Sequence, residues 1–388
     1  MSRPSLLIAG GGTGGHVFPA VAVAEALGAL ADVDVVFCGT ERGLEARVVP
    51  ARGWRLEFLA VEPIKGGGPR RAVWGALAAA RATLHAVSLV RRLQPRAALS
   101  VGGYASGPAT LAAALLGVPV AILEPNSVPG LTNRLLAPVA RRAYLAWDEA
   151  AWAFRGAAIR PFGTPLRSGF VAREYAARDT PRLLVMGGSQ GASFLNECLP
   201  AVIGAVHASA ARPLDVVHQT GPGRDAAVRD AYARAGIDGV TVLPFIEDVA
   251  EAIADADLVV ARAGAGTLAE ITAVGRPSLL VPFPYAADDH QAKNAEALEH
   301  AGAAVCVRQD RATPERLAAE VERLMYDRPR RVAMAAAAAS RGRPNAAHQV
   351  ACDLLALASI PSRTHDVRGV NGVRRLRAPE RSSAGRAG

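Results

Sequence analysis

The 388-residue sequence is poor in aromatic residues, in cysteine and in acidic charge. Aromatic residues make up 5% of the chain against 51% hydrophobic residues in total, so the core is expected to be aliphatic. The four cysteines, Cys38, Cys198, Cys306 and Cys352, have no metal-like spacing and predict free thiols in a reducing compartment. This composition excludes a disulfide-stabilised secreted module and a disordered chain.

The sequence also lacks an uncharged run long enough to cross a bilayer. Arg81 and Arg91 interrupt the best candidate, around residues 72–90. The first apolar run follows a single basic residue, which is unlike a signal peptide. We therefore expect a cytoplasmic protein that contacts a membrane without crossing it.

Basic residues exceed acidic ones, 44 against 35, but the excess is concentrated at the C-terminus. Residues 361–388 hold seven arginines and two acidic residues, with little apolar content. This segment is predicted to be a disordered basic tail, which is either a solvated extension or attracted to anionic lipid or nucleic acid. The remainder is only weakly basic, so its charge does not indicate a nucleic-acid partner.

Short apolar runs of strand length alternate with longer helical patterns. The predicted strands are 6–9, 33–38, 97–101, 118–123, 183–186, 214–218, 241–244, 258–261 and 278–282. Strands that alternate with helices predict an α/β fold, with doubly wound parallel sheets covered by helices on both faces.

A strand followed by a glycine loop and a helix occurs twice, at residues 10–15 and 187–191. Two such openings predict two Rossmann-like domains, 1–162 and 163–343, that face a central cleft. Proline and glycine cluster at the boundary. A further helical segment, 344–359, is expected to pack back on the first domain.

Neither glycine loop matches a nucleotide-binding fingerprint. No acidic residue ends the second predicted strand, and no Gly-Lys-Ser/Thr follows either loop. A glycine loop still allows backbone N–H groups to approach an anion at a helix N-terminus. Taken alone, each loop fits either a ligand site or a tight turn.

His16 directly follows the first loop, at the carboxyl edge of the predicted sheet, where open α/β folds bind ligands. A neutral imidazole there could accept a proton from a substrate hydroxyl, because the positive helix end lowers its pKa. The alternative is a histidine that only caps or packs.

Two polar residues of the second half would face the same cleft. Glu270 lies about one turn into the helix that follows strand 258–261, where it would either accept hydrogen bonds from ribose hydroxyls or suit the helix dipole. Gln291 follows the next strand. Asp255 and Asp257 form a D-x-D pattern but precede a strand, at the wrong sheet edge, so no metal or other cofactor is expected.

Five motifs occur in order along the chain. They are GGTGGH at 11–16, GGYASGP at 102–108, GLTN at 130–133, GGSQGA at 187–192 and AGTLAE at 265–270. Over about residues 5–355 the chain resembles the MurG family of GT-B glycosyltransferases. The resemblance implies transfer of N-acetylglucosamine from UDP-GlcNAc to the 4-hydroxyl of the muramoyl sugar of polyprenyl-linked lipid I. Inversion at the transferred sugar would give lipid II for peptidoglycan synthesis.

The same resemblance implies the site residues, with His16 as the catalytic base. The implied contacts to UDP-GlcNAc are Thr13, Gly14, Gly15, Asn126, Arg167, Ser189, Phe245, Ile246, Ala265, Gly266, Thr267, Leu268, Ala269, Glu270 and Gln291. Asn126 and Gln291 would bind the sugar, Arg167 and Ser189 the phosphates, and Phe245 and Ile246 the uracil. The implied acceptor contacts are Gly103, Tyr104, Ser106 and Glu124.

Three positions depart from the family pattern. Pro125 and His290 each stand where Gln is usual, and Thr164 stands where Asn is usual. Pro125 removes a backbone donor next to Asn126.

Residues 64–74 combine a glycine turn with basic residues and a tryptophan, which suits anionic headgroups. The predicted membrane contacts are Ile64, Lys65, Arg70, Arg71 and Trp74. The alternative is a surface loop whose Trp74 starts a helix packed on the sheet. The family resemblance implies peripheral attachment to the cytoplasmic face of the membrane, with cell-wall synthesis proteins as further partners.

Three other functions are compatible with parts of this pattern. They are a GT-B transferase for a small diffusible acceptor, a sugar-nucleotide epimerase of similar architecture, and a non-catalytic nucleotide-binding module. The motif at 102–108 and Asn126 argue against the first, and no carboxylates can be placed near the anomeric carbon for the second.

Overall fold

The computed structural model describes residues 3–61, 69–188, 190–210 and 214–363, without the side chains of 69–79 and 210. Ile64, Lys65 and Ser189 lie outside the described residues, as does the predicted tail from residue 364 onwards. Arg70, Arg71 and Trp74 lie on a helical backbone whose side chains are not described there.

The described strands form two parallel sheets. The first contains β1 (Ser5–Ala9), β2 (Asp34–Gly39), β3 (Arg55–Phe58), β4 (Ala97–Ser100), β5 (Val120–Glu124), β6 (Ala140–Leu145) and β7 (Ala158–Arg160), in the order β3-β2-β1-β4-β5-β6-β7. The second contains β8 (Arg182–Met186), β9 (Asp215–Gln219), β10 (Thr241–Leu243), β11 (Leu258–Ala261), β12 (Ser278–Leu280) and β13 (Ala304–Cys306), in the order β10-β9-β8-β11-β12-β13.

Helices cover both faces of each sheet. They are α1 (Gly14–Leu30), α2 (Glu45–Ala51), α3 (Pro69–Leu93), α4 (Ser106–Leu115), α5 (Leu131–Leu136), α6 (Ser193–Ala210), α7 (Asp225–Arg234), α8 (Val249–Ala254), α9 (Ala265–Val274), α10 (His290–His300), α11 (Pro314–Tyr326), α12 (Arg328–Arg341) and α13 (Ala346–Leu357). None of these described helices is both long and apolar enough to cross a membrane.

The strand order reverses once in each sheet, between β1 and β4 and between β8 and β11. Ligands of open α/β sheets bind outside the carboxyl ends of the strands at such a reversal. The glycine-rich loops at 10–15, 102–108, 187–191 and 262–266 follow these four strands. The prediction of two doubly wound, Rossmann-like halves is therefore confirmed, and the small-residue motifs lie at the two reversals.

The cores are aliphatic because the central strands are buried on both faces. Leu7 and Ile8 of β1 point to opposite faces of the first sheet and are both fully buried. The chain passes from the first sheet to the second through residues 161–181. Helix α13 then returns to pack on α1, where Val350 and Leu354 join the core of the first sheet.

Candidate active site

The first glycine loop joins β1 to α1 and brings His16 to the sheet edge. Gly10 and Gly12 have φ of 143° and 90°, backbone conformations that favour glycine. A Cβ at Gly10 would overlap Val101 and the Gly102 carbonyl, so the loop lies directly against the end of β4. Thr13 is the N-cap of α1, which puts His16 in the first turn of the helix.

The imidazole of His16 is half-buried against the second glycine loop. Its Nδ1 lies 3.2 Å from Thr13 Oγ1. A Cβ at Gly102 would come within 3.1 Å of its Cδ2 and Nε2 atoms, so glycine there leaves room for the ring. Burial lowers the pKa of His16 to about 4, opposed by a hydrogen bond to the Gly11 backbone. His16 is therefore neutral at pH 7, as a general base must be.

A buried carboxylate beneath the first loop was missed from the sequence. Glu45, on α2, accepts hydrogen bonds from the N–H of Gly12 at 2.7 Å and of Thr40 at 2.9 Å, and from the Thr40 hydroxyl at 2.9 Å. A Cβ at Gly11, Gly39 or Gly43 would overlap its side chain. The cluster of glycines around one acidic residue was the signal that could have identified it.

The second loop, after β4, contains three of the predicted acceptor contacts. Gly103, with φ of 81°, faces His16, and a Cβ there would lie 3.5 Å from Nδ1 of that ring. Tyr104 is half-buried, with its hydroxyl 3.5 Å from Thr40 Oγ1. Ser106 is buried and donates to the Gly103 carbonyl at 2.8 Å, so its hydroxyl braces the loop. Acceptor binding by these residues remains a prediction.

Glu124, predicted to bind the acceptor, is buried at the end of β5 and holds the loop that follows. Its carboxylate accepts from the N–H and the side-chain amide of Asn126, from the N–H of Gly130 and from the Asn133 amide, at 2.9–3.1 Å. Burial raises the pKa of Glu124, and these donors oppose the rise. The structure thus places Glu124 as a support for Asn126, and direct acceptor binding remains a prediction.

Pro125 is compatible with the hydrogen bonds of this loop. Its carbonyl accepts from Trp147 Nε1 at 3.2 Å, while the neighbouring Asn126 N–H is used by Glu124. The missing donor at Pro125 therefore does not disrupt the hydrogen bonds around Asn126.

In the second half, the loop after β8 lies at the N-terminal end of α6. Gly191 has φ of 73°, and a Cβ there would overlap the Thr220 carbonyl. Gln219, which the sequence analysis missed, donates through Nε2 to the carbonyls of Gly188 at 3.1 Å and Pro244 at 3.2 Å. Gln219 thereby ties the predicted phosphate loop to the predicted uracil-binding segment.

That segment follows β10 and contains two predicted contacts. The ring of Phe245 is 59% exposed and is therefore accessible to a nucleobase. Ile246 is buried, which leaves only its backbone to face a ligand. The contact predicted for Ile246 used its backbone.

The loop after β11 leads into α9, where six predicted contacts lie. Ala265, Gly266, Thr267, Ala269 and Glu270 are half-buried, whereas the Leu268 side chain belongs to the core and only its backbone is near the edge. Burial raises the pKa of Glu270 to about 7, opposed by the positive charge of Arg167. Arg167 is half-buried, with its guanidinium over the Phe170 ring at 5.5 Å.

The two halves meet at this edge. Helix α1 contacts α9, and the charge of His290, at the start of α10, is close enough to lower the pKa of His16. Gln291 accepts the Phe283 N–H at 3.0 Å through Oε1, which leaves its amide N–H groups free to donate. The first turn of α1, which contains His16, and the start of α10, which contains His290 and Gln291, therefore approach each other from the two halves.

The D-x-D pattern lies away from the cleft, at the opposite edge of the second sheet. Asp257 is buried and accepts from Tyr175, Arg178 and Arg182, while Asp255 pairs with the two arginines. Within the described part of the chain, no group of three or more His, Cys, Asp or Glu side chains could hold a metal ion.

Comparison with known proteins gives the family. The model of the glycosyltransferase family 28 N-terminal domain matches residues 6–145, and that of its C-terminal domain matches 182–350. A protein of Sorangium cellulosum (strain So ce56) is 55% identical over 362 residues, which cover 92% of this chain and 89% of that protein. It is named UDP-N-acetylglucosamine--N-acetylmuramyl-(pentapeptide) pyrophosphoryl-undecaprenol N-acetylglucosamine transferase. A Myxococcus xanthus (strain DK1622) protein of the same name is 41% identical over 350 residues, which cover 89% of this chain and 91% of that protein.

Solved structures agree. The crystal structure of Acinetobacter baumannii MurG is 33% identical, with a TM-score of 0.76, over 91% of this chain and 99% of that one. A putative UDP-N-acetylglucosamine 2-epimerase from Listeria monocytogenes is only 15% identical, with a TM-score of 0.63 over 95% and 100% of the two chains, and shares the fold alone. The chain belongs to the MurG family of UDP-GlcNAc-dependent glycosyltransferases, within glycosyltransferase family 28.

Proposed function

We propose that this chain transfers N-acetylglucosamine from UDP-GlcNAc to the 4-hydroxyl of the muramoyl sugar of lipid I, with inversion, and so forms lipid II. The observation that carries the proposal is the placement of His16. Its neutral imidazole lies between two glycine loops of the first half, α1 contacts α9 of the second half, and His290 of α10 is close enough to lower the pKa of the imidazole. The names of the family relatives supply the donor and acceptor classes.

In the proposed mechanism, His16 accepts the proton of the attacking hydroxyl. The acceptor oxygen forms a bond to the anomeric carbon as the bond from that carbon to UDP breaks, through an oxocarbenium-like transition state. Two bound diphosphates would raise the proton affinity of His16 at the moment of attack. Positioned general-base catalysis of this kind contributes typically 10²–10⁴-fold.

Negative charge grows on the departing UDP and needs stabilisation. The N-terminus of α6 and Arg167 would supply it, with each well-placed donor contributing about 3 kcal/mol. Glu270 would hold the ribose hydroxyls, and Phe245 would cover the uracil. Because Arg167 and the N-terminus of α6 would face the diphosphate, we propose that the reaction needs no divalent ion.

The acceptor carries a polyprenyl chain, so the first half is proposed to rest peripherally on an anionic membrane surface at its cytoplasmic face. Exposed leucines support this proposal and extend it beyond residues 64–74. They are Leu84 on α3, Leu115 on α4, and Leu131 and Leu135 on α5. Helix α3 packs on α4 and α4 on α5, so the apolar side chains lie on adjacent helices.

The test is a product assay with purified protein, UDP-GlcNAc labelled in the sugar, and a lipid I analogue. The proposal predicts a labelled disaccharide-lipid and one UDP per transfer, without added metal. A labelled UDP-sugar isomer would instead indicate the epimerase reaction, and binding without either product would indicate a nucleotide-binding module. Either result would overturn the proposal.

A further inference from the structure

A buried hydrogen-bond cluster joins the two halves beside the proposed sugar site. Asn294 of α10 is 0% exposed and lies against the loop that follows β5 in the other half. Its Oδ1 accepts from the N–H of Ser127 at 2.9 Å and from the Ser127 hydroxyl at 2.8 Å. Its Nδ2 donates to Oδ1 of Asn126 at 3.2 Å.

This arrangement fixes the orientation of the Asn126 carboxamide. Asn126 Oδ1 faces the Nδ2 of Asn294, and Asn126 Nδ2 donates to Glu124 Oε1 at 3.1 Å. A flipped amide would place two oxygens against each other at Glu124 and two NH₂ groups against each other at Asn294. Only one orientation therefore satisfies both neighbours, and each neighbour comes from a different half of the molecule.

The cluster spans the two halves, so any separation of the halves would break it. Glu124, Asn126 and Ser127 belong to the first half, whereas Asn294 belongs to the second, three residues after Gln291 on α10. Residues three apart on a helix lie on one face, so Asn294 and Gln291 share one face of α10. An ion pair between Arg134 of α5 and Asp288, at 3.8 Å, bridges the same side of the cleft.

We propose that Asn294 is a positioning residue that orients Asn126 toward the donor sugar through the contact between the two halves. This inference rests on the proposed function, in which Asn126 contacts the transferred N-acetylglucosamine. Asn294 touches no part of the substrate and acts through Asn126. Its effect should therefore appear in the recognition of the sugar and not in the recognition of the uridine diphosphate.

The test compares the binding of UDP with that of UDP-GlcNAc, measured by titration calorimetry. We expect N294A to weaken UDP-GlcNAc about 3- to 10-fold, the effect of one or two lost hydrogen bonds, and to leave UDP affinity within about 2-fold. Unchanged UDP affinity also shows that the donor half is folded. K293A, at the exposed neighbouring position on α10, is the matched control and should bind both ligands as the unmodified protein does.

A second variant tests the orientation of the Asn126 side-chain amide. N294D keeps the acceptor for Ser127 but places carboxylate oxygen against Asn126 Oδ1, so that Asn126 lies between two carboxylates. We expect N294D to weaken UDP-GlcNAc at least as much as N294A does, again with UDP unaffected. Equal sugar recognition by N294D and the unmodified protein would overturn the proposal.

The double variant N126A/N294A identifies which step fails. If Asn294 acts through Asn126, N126A alone weakens UDP-GlcNAc and N294A adds nothing to it. Additive losses, or a loss with N126A but none with N294A, would overturn the positioning role and leave the proposed function intact. No loss with N126A itself would remove the proposed sugar contact and, with it, this inference. A loss of UDP affinity in N294A would reduce its role to general stability.

Discussion

The Glu45 carboxylate accepts the Gly12 N–H at 2.7 Å, beneath the loop that carries His16. In glycine loops at helix N-termini, backbone N–H groups can face an anionic ligand. Here one of them is already used by an anion from the protein itself, with Thr40 supplying two further donors. Glu45 therefore stabilises the first loop from within the protein and holds Thr13 and His16 at the sheet edge.

Replacing Glu45 should disrupt both the loop and the reaction. Glu45→Gln introduces an NH₂ group that faces backbone donors, and a buried donor without a partner costs about 1–3 kcal/mol. We expect Glu45→Gln to unfold at a lower urea concentration than the unmodified protein and to have a lower kcat. Glu41→Gln, at an exposed neighbouring position, is the control. Indistinguishable curves and rates for the two variants would contradict the supporting role of Glu45.

The fold could be predicted because most central strands carry a clear signal. Runs such as 6–9 and 258–261 are continuously apolar, as buried parallel strands are. The strands missed from the sequence are short, lie at or towards a sheet edge, or contain charge. Strand β3 is an edge strand with two charged residues in four, and β6 begins with Arg141 and Arg142 in its first three residues.

Site loops that are rich in glycine could be predicted from the sequence. Side chains that act through contacts distant in the sequence could not. The loops at 10–15 and 187–191 could be located because a tight turn from a strand into a helix brings backbone segments close together. Such a turn needs glycine, which is visible in the sequence. Gln219 and Asn294 bond partners 25 to 168 positions away, so no local pattern marks them, whereas the glycines around Glu45 are a signal in the sequence. The predictions for Ser106 and Glu124 located the loops correctly but could not show that both side chains are buried.

The His16→Ala variant should bind UDP-GlcNAc normally and transfer the sugar slowly. Loss of a positioned general base lowers the rate about 10²- to 10⁴-fold. Single-turnover rates with both substrates saturating measure this step, and calorimetry measures donor binding. His207→Ala, at an exposed position on α6, controls for the loss of an imidazole. A His16→Ala rate within a few-fold of the His207→Ala rate would mean that another group is the base.

Donor binding should strengthen as pH rises through about 7. Burial raises the pKa of Glu270 to about 7, so the carboxylate form, which accepts from two ribose hydroxyls, forms only above that pH. The pKa of His16, about 4, keeps that ring neutral over this range. Because hydrogen bonds to charged groups are stronger by about 1 kcal/mol, we expect about 3- to 4-fold tighter UDP-GlcNAc binding at pH 8 than at pH 6.

The variant Glu270→Gln carries no titratable group at this position and is the control for the pH experiment. Its affinity for UDP-GlcNAc should be weaker than that of the unmodified protein at pH 8 and should not vary between pH 6 and 8. UDP-GlcNAc is the suitable probe because its diphosphate is a diester without a terminal phosphate that titrates near pH 7. The same pH dependence in both proteins would assign the effect to another group.

Replacing exposed leucines with charged residues should weaken membrane attachment. Leu84 is 71% and Leu115 68% exposed, so replacing both with Glu leaves the core intact but removes apolar area and adds repulsion from anionic lipid. We expect about 10-fold less protein to sediment with vesicles that contain phosphatidylglycerol. Val332→Glu, at an exposed position on α12, should sediment like the unmodified protein. Equal sedimentation of the double variant would remove these leucines from the proposed membrane surface.

The predicted phosphate loop of the second half offers a test that separates the cost of a strained backbone from the cost of steric overlap. Gly191 and Gly223 have nearly the same φ, 73° and 69°. A Cβ at Gly223 meets nothing within 4 Å, whereas one at Gly191 would overlap the Thr220 carbonyl.

Gly223→Ala should therefore cost only the strain of a left-handed conformation, about 1 kcal/mol. Gly191→Ala adds overpacking and should cost about 2–5 kcal/mol in urea unfolding, with a loss of UDP affinity that Gly223→Ala does not show. Equal stabilities would mean that the loop can relax away from Thr220, and that its close packing does not hold the donor site in shape.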